Sequence, residues 1–139
     1  MTYRLDDAAF AAWLGAYKEA WEARDPAAAA ALFTADASYH EMPFDAPILG
    51  AGAISAYWAK AVAGQRDILF TSQILSCAGA EGIVHWHCAF TGVAGGEQID
   101  LDGIFRCRFA DAGRVAHFQE WWHVRVVSPE LSPPDPQPR

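Results

Sequence analysis

Apolar residues recur at spacings of three and four from Phe10 to Trp21, so Phe10, Trp13, Leu14, Tyr17 and Trp21 share one face. That period predicts an amphipathic helix over 6–24, capped at its start by Asp6 or Asp7. Asp25-Pro26 ends this helix and opens another, with Asp as the cap and Pro in the first turn. The alanine run 27–31 then closes on Leu32 and Phe33. Ala37–Phe44 reads as a short aromatic extended segment, followed by a proline-containing loop to Gly50. A third helix is predicted over 51–63, with Ile54, Trp58, Ala61 and Val62 inward and Gly64 as its stop.

From Asp67 the period becomes two. Four strands are predicted, at 68–77, 82–91, 97–109 and 114–127, with turns at Ala78-Gly79-Ala80, Gly95-Gly96 and Asp111-Ala112-Gly113. Such short connections imply antiparallel neighbours. The expected fold class is α+β: three N-terminal helices packed on a curved, mainly antiparallel sheet. The folded domain is expected to span 1–127. The tail 128–139 holds five prolines in twelve residues, which predicts an extended, flexible segment.

Alternation also sorts the sheet into faces. Val84, Trp86, Cys88 and Phe90 point one way, as do Leu101, Gly103, Phe105, Cys107 and Phe109, and then Phe118, Glu120, Trp122 and Val124. The opposite face carries His85, His87, Asp100, Asp102, Arg106, Arg108, His117, Gln119, Trp121 and His123. Glu120 alone places a charge among the inner residues. A lone buried carboxylate costs several kcal/mol, roughly, or takes up a proton. Three outcomes are open: a bridge to Arg106 or Arg108, a bulge that turns Glu120 outward, or a carboxyl facing the interior. The four outer-face histidines, His85, His87, His117 and His123, have no cysteine beside them. They read as an interface or a solvated face, and no metal site is predicted.

Composition narrows the partners. The chain of 139 residues is 53% hydrophobic, has six tryptophans and carries a formal net charge of −7. With ten Lys and Arg residues scattered along it, neither nucleic acid nor an anionic membrane is an expected partner. No apolar run approaches the roughly 20 residues needed to span a bilayer, and no charged-then-apolar leader opens the sequence. A soluble, cytoplasmic protein is the expectation. Cys77, Cys88 and Cys107 sit singly in apolar stretches, which predicts buried free thiols.

The stretch Asp36-Ala37-Ser38-Tyr39-His40-Glu41-Met42-Pro43-Phe44, with Pro47, Gly50, Ile54 and Tyr57-Trp58, forms a recognisable pattern. Joined to Leu101-Asp102-Gly103-Ile104-Phe105, Arg108-Phe109, Gly113-Arg114-Val115 and Glu120-Trp121-Trp122, it resembles the SnoaL-like branch of the nuclear transport factor 2 superfamily over residues 6–127. The resemblance implies helices over a curved sheet, a ligand in the cone between them, and a homodimer, here expected through the outer sheet face. It puts Tyr17 where ketosteroid isomerases keep an oxyanion-hole tyrosine and Glu41 where they keep the proton-abstracting carboxylate. Trp58 and Trp122 fall at pocket aromatic positions. Phe105 stands in place of the second oxyanion donor, which argues against steroid isomerisation. Glu120 falls where epoxide hydrolases of the superfamily hold a catalytic aspartate, but His85, Trp86, His87 and Cys88 replace the Arg and Asp expected beside it. The cyclases' carboxylate–histidine pair would be His87 with Asp102, which alternation places outside.

The functional expectation is a small apolar oxygenated molecule held in an aromatic-lined cone, with cofactor-free acid–base chemistry of isomerase, cyclase, dehydratase or hydrolase type. Glu41, Glu120 and Tyr17 are the candidate catalytic residues. Trp13, Trp58, Trp86, Phe105, Phe118 and Trp122 are the candidate ligand contacts. The alternative is a non-catalytic small-ligand binder or dimerisation protein, and the sequence leaves the choice between enzyme and binder open.

Overall fold

The structure is a computed structural model that describes residues 3–127; the proline-rich segment 128–139 lies outside them. Helix α1 spans Asp7–Glu22, with the Asp6 carboxylate accepting from the Ala9 amide at 2.8 Å. A side-chain oxygen there satisfies one of the amides that a helix start leaves without a partner. Helix α2, Pro26–Ala30, is capped in the same way by Asp25. Strand β1 (Phe33–His40) and the two-residue β2 (Ile48–Leu49) precede α3 (Ala51–Ala63). Four long strands follow: β3 (Gln65–Ala78), β4 (Glu81–Gly92), β5 (Gln98–Asp111) and β6 (Arg114–Val127).

The α+β class holds, with three helices and one curved sheet of six strands in the order β2-β1-β6-β5-β4-β3. The expected order of elements is corrected in one respect. The helices are not all N-terminal to the sheet, because β1 and β2 lie between α2 and α3. β1 also joins the far side of the sheet, parallel to β6, while the other pairs are antiparallel. This pairing closes over about eighty residues of chain (Ser38 opposite His117) and leaves no local sequence signal.

The faces fall as alternation predicts. Val84, Trp86, Cys88, Phe105, Cys107, Phe109 and Phe118 are buried on the inner side, whereas Arg106, Arg108 and His117 are exposed on the outer side. A bulge where β5 pairs with β6 skips Ala116, and this puts both Val115 and Phe118 in the core despite a spacing of three. The bulge lies before Glu120 and restores the register, so Glu120 sits opposite Phe105 and faces in.

Helix α1 lies across this inner face. Phe10 packs edge-on to Phe109, Trp13 onto Phe105 and Phe109, and Tyr17 onto Phe70 and Phe105. Gly82 makes room for the helix, since a Cβ there would lie 2.5 Å from the Phe10 ring. The Trp13 indole donates to the Leu32 carbonyl at 3.1 Å, and Glu22 accepts from the Phe70 amide at 2.9 Å. These two bonds tie the helix to the segment before β1 and to β3. Cys88 and Cys107 are buried free thiols as expected, while Cys77 is only half-buried. Burial raises all three thiols, Cys88 to about 12, so they stay protonated and unreactive at neutral pH.

Candidate active site

Where α1 ends, the inner face is no longer covered by its aromatics. A cavity of about 510 Å³ opens there between the end of α1, helix α3 and the far halves of β4, β5 and β6. Small-molecule clefts run from about 300 to 1,000 Å³, so this one has room for a ligand. Its wall on the sheet side is apolar, with Phe90, Ile99, Leu101, Val124 and Val126. Trp122 also lines it, brought close by Gly103 on the neighbouring strand.

Polar groups gather at the inner end. Alternation along β1 turns Ala37, Tyr39 and then Glu41 inward, while Ser38 and His40 face outward. Glu120 arrives from β6 and is only 6% exposed. The Tyr39 hydroxyl donates to its Oε2 over a long 3.4 Å. Tyr17 and Tyr57 complete the cluster from α1 and α3, and all five side chains line the cavity. Among the described residues no arginine is paired with Glu120: Arg106 donates to Gln119 at 3.0 Å, and Arg108 pairs with Glu81 at 3.4 Å, both on the outer face. Of the three outcomes the sequence left open, the inward-facing carboxyl is the one observed.

That environment sets the protonation state. Burial, and behind it the negative charge of Glu41, raises the Glu120 carboxyl to about 8, with the Tyr39 hydroxyl pulling weakly the other way. Desolvation penalises the charged form, so Glu120 is a neutral acid at pH 7. Burial also raises Tyr17, Tyr39 and Tyr57, and the charge of Glu120 adds to each. All three phenols therefore remain protonated donors. The arrangement is one neutral carboxylic acid and three phenols facing an apolar chamber, with Glu41 half-exposed beside them.

Each sequence candidate has a definite place. Tyr17, Glu41, Glu120, Trp58 and Trp122 line the cavity together. Trp13, Trp86, Phe105 and Phe118 do not: they are at most 3% exposed and form the core beneath and beside it. Phe105 is roofed by Trp13 and Tyr17, and Phe118 is stacked on Tyr39 with centroids 4.4 Å apart. Their face was right, but α1 covers their half of the sheet. Tyr39, Tyr57, Trp21 and Gln65 are cavity residues that the sequence reading gave no role. The signal for Tyr39 was present, since it alternates with Glu41. His85 contacts Asp102 at 3.1 Å and His117 contacts Ser38 at 2.8 Å, both on the outer face. Among the described residues no group of three His, Cys, Asp or Glu side chains is arranged to hold a metal ion.

Known proteins agree with this architecture. The SnoaL-like domain family matches residues 14–118, and the chain belongs to that family. A putative isomerase from Bacillus subtilis superposes with a TM-score of 0.74 at 16% identity, covering 84% of this chain and 87% of that one. SalBIII, described as an epoxide hydrolase/cyclase-like enzyme in pyran ring formation in the polyether salinomycin, gives 0.75 at 13% identity, over 88% of this chain and 98% of its own. A computationally designed 17-OHP binder gives 0.72 at 18% identity, over 85% and 96%. At these identities the likeness is one of fold. No curated protein matches the chain.

Proposed function

We propose that the cavity is a cone-shaped site for a small, apolar, oxygenated molecule and that Glu120 serves there as a general acid. One observation carries this reading: a carboxyl buried with no ion-pair partner among the described residues, kept neutral by burial, in the wall of an apolar chamber. Such a group is costly as structure and useful as chemistry. Glu120 would protonate or hydrogen-bond a ligand oxygen, whether carbonyl, epoxide or departing hydroxyl. Tyr17 and Tyr39 would support the charge growing on that oxygen, and Glu41 would accept a proton from carbon, hydroxyl or water. Isomerase, cyclase, dehydratase and hydrolase reactions share this step, and the fold neighbours include proteins described by such activities.

The test is a screen of cyclic ketones, lactones and epoxides for binding by tryptophan fluorescence and for turnover by NMR. Turnover should fall as pH rises through about 8, where Glu120 loses its proton. Glu120→Gln should lower the rate by about 100-fold or more while leaving binding within a few-fold. Binding with no turnover for any class would instead support the non-catalytic alternative, in keeping with a fold that also holds a designed 17-OHP binder.

We further propose that the outer sheet face pairs with a second copy of the chain. Along β5 that face reads Asp100, Asp102, Ile104, Arg106, Arg108, acidic at one end and basic at the other about an apolar centre, with Arg125 on Asp100 and Glu81 on Arg108 partly offsetting the two ends. Ile104 lies opposite Trp121, which is 44% exposed. A two-fold axis through that centre sets each acidic half on the other copy's basic half, as an isologous interface requires. Sedimentation should show a dimer. Reversing the basic half (Arg106→Asp with Arg108→Asp) should give monomers, and reversing the acidic half as well (Asp100→Arg with Asp102→Arg) should restore the dimer. A monomeric wild type, or a dimer indifferent to these changes, would contradict the pairing.

A further inference from the structure

The cavity has a second polar region, apart from Glu120, that the acid–base reading does not use. Gln65, the first residue of β3, is only 9% exposed and lines the cavity. Its Oε1 accepts from the Trp21 indole at 2.8 Å. An indole nitrogen can only donate, so this bond fixes the orientation of the amide and leaves the two N–H donors of Nε2 without a side-chain partner among the described residues. Trp58 lines the same cavity, and its Nε1 is buried with no hydrogen-bond partner among the described residues. The Trp21 and Trp58 rings stand 5.1 Å apart, so Trp58 packs against the same indole that holds the Gln65 amide. An orphaned buried N–H is destabilising, and an arriving acceptor would recover that loss.

We infer that Gln65 and Trp58 form a donor-only anchor that takes a carbonyl or ether oxygen at the end of the ligand remote from the group bound by Glu120. The ligand is thus an apolar skeleton with two separated oxygen functions. Donors only are presented at this end, so an acceptor is selected and a hydroxyl must bind through its lone pair. The apolar wall between the two ends, Leu101, Val124 and Val126, gives the skeleton its place. The inference rests on the cavity being a ligand site, and the experiment separates the two claims.

The probes are 4,4′-bicyclohexanone, with a carbonyl at each end, and 4-cyclohexylcyclohexanone, which lacks one of them. Titrated into the full-length protein and followed by NMR, the diketone should bind about 5–10-fold more tightly, the worth of one further hydrogen bond. In Gln65→Leu that advantage should shrink to less than about two-fold. Gln65→Leu also removes the acceptor for the Trp21 indole, so a wild-type readout stands beside it. The Trp58 indole N–H resonance should move downfield with the diketone, as expected for a new hydrogen bond. Equal affinities for the two ketones, with the Trp58 resonance unmoved, would overturn the anchor and leave the cavity reading intact. If neither ketone binds, the cavity reading fails and the anchor with it.

Discussion

Glu120→Gln is expected to stabilise the protein by about 3–5 kcal/mol at pH 9 and to change its stability little below pH 5. The sign follows from the two states. In the folded protein Glu120 holds its proton to about 8, against an ordinary value of 4.5. Between those values the folded state binds more protons than the unfolded one, so stability falls as pH rises. The contribution is complete below about 4.5 and gone above about 8, where the wild type buries a carboxylate among phenols. Glutamine has no charge to bury and escapes that loss. Urea denaturation of both proteins at pH 5, 7 and 9 measures the effect, and the difference between them isolates this residue from others that titrate. A difference constant across pH would show that Glu120 has a partner or is hydrated in the fold.

Gly103→Ala is the second large effect. The inner-face Cβ it would add lies 2.4 Å from the Trp121 carbonyl oxygen and 2.8 Å from the Trp122 Cβ. The first of these atoms is backbone in a paired strand, so relief requires β5 and β6 to separate where Glu120 and Trp122 are carried. A loss of about 3 kcal/mol is expected, at the upper end for overpacking. The ligand cavity should suffer with it, because Trp122 lines the wall beside that glycine. Chemical denaturation and binding of the diketone probe report the two consequences. Unchanged stability would mean that the strands can part at this point at no cost.

Much of this was written in local sequence. The helix faces and the alternation of the long strands follow from periodicity, and the caps from the aspartates that precede the helices; the alternation put Glu120 and Trp122 on the inner side. What local pattern cannot carry is depth along a strand. Phe105 and Trp122 share a face, yet Phe105 lies under α1 and Trp122 beside the opening, because the helix covers only half the sheet. The parallel pairing of β1 with β6 is equally non-local, and it is what brings Tyr39 to Glu120. Gln65 escaped notice for another reason. It opens a strand as an ordinary polar residue, and only the indole of Trp21, 44 positions earlier, makes it a fixed donor in the cavity.

The proposed chemistry depends on Glu120 being a neutral acid inside the fold, and its titration tests that most directly. With the glutamate side chains labelled with carbon-13, the Glu120 carboxyl resonance should titrate with a midpoint of about 8. Glu41→Gln should lower the midpoint, by removing the neighbouring charge, and Tyr39→Phe should raise it, by removing the hydrogen bond to the carboxylate. A midpoint at the ordinary 4.5 would mean that Glu120 is charged and solvated at neutral pH, and the proposed general acid would be lost.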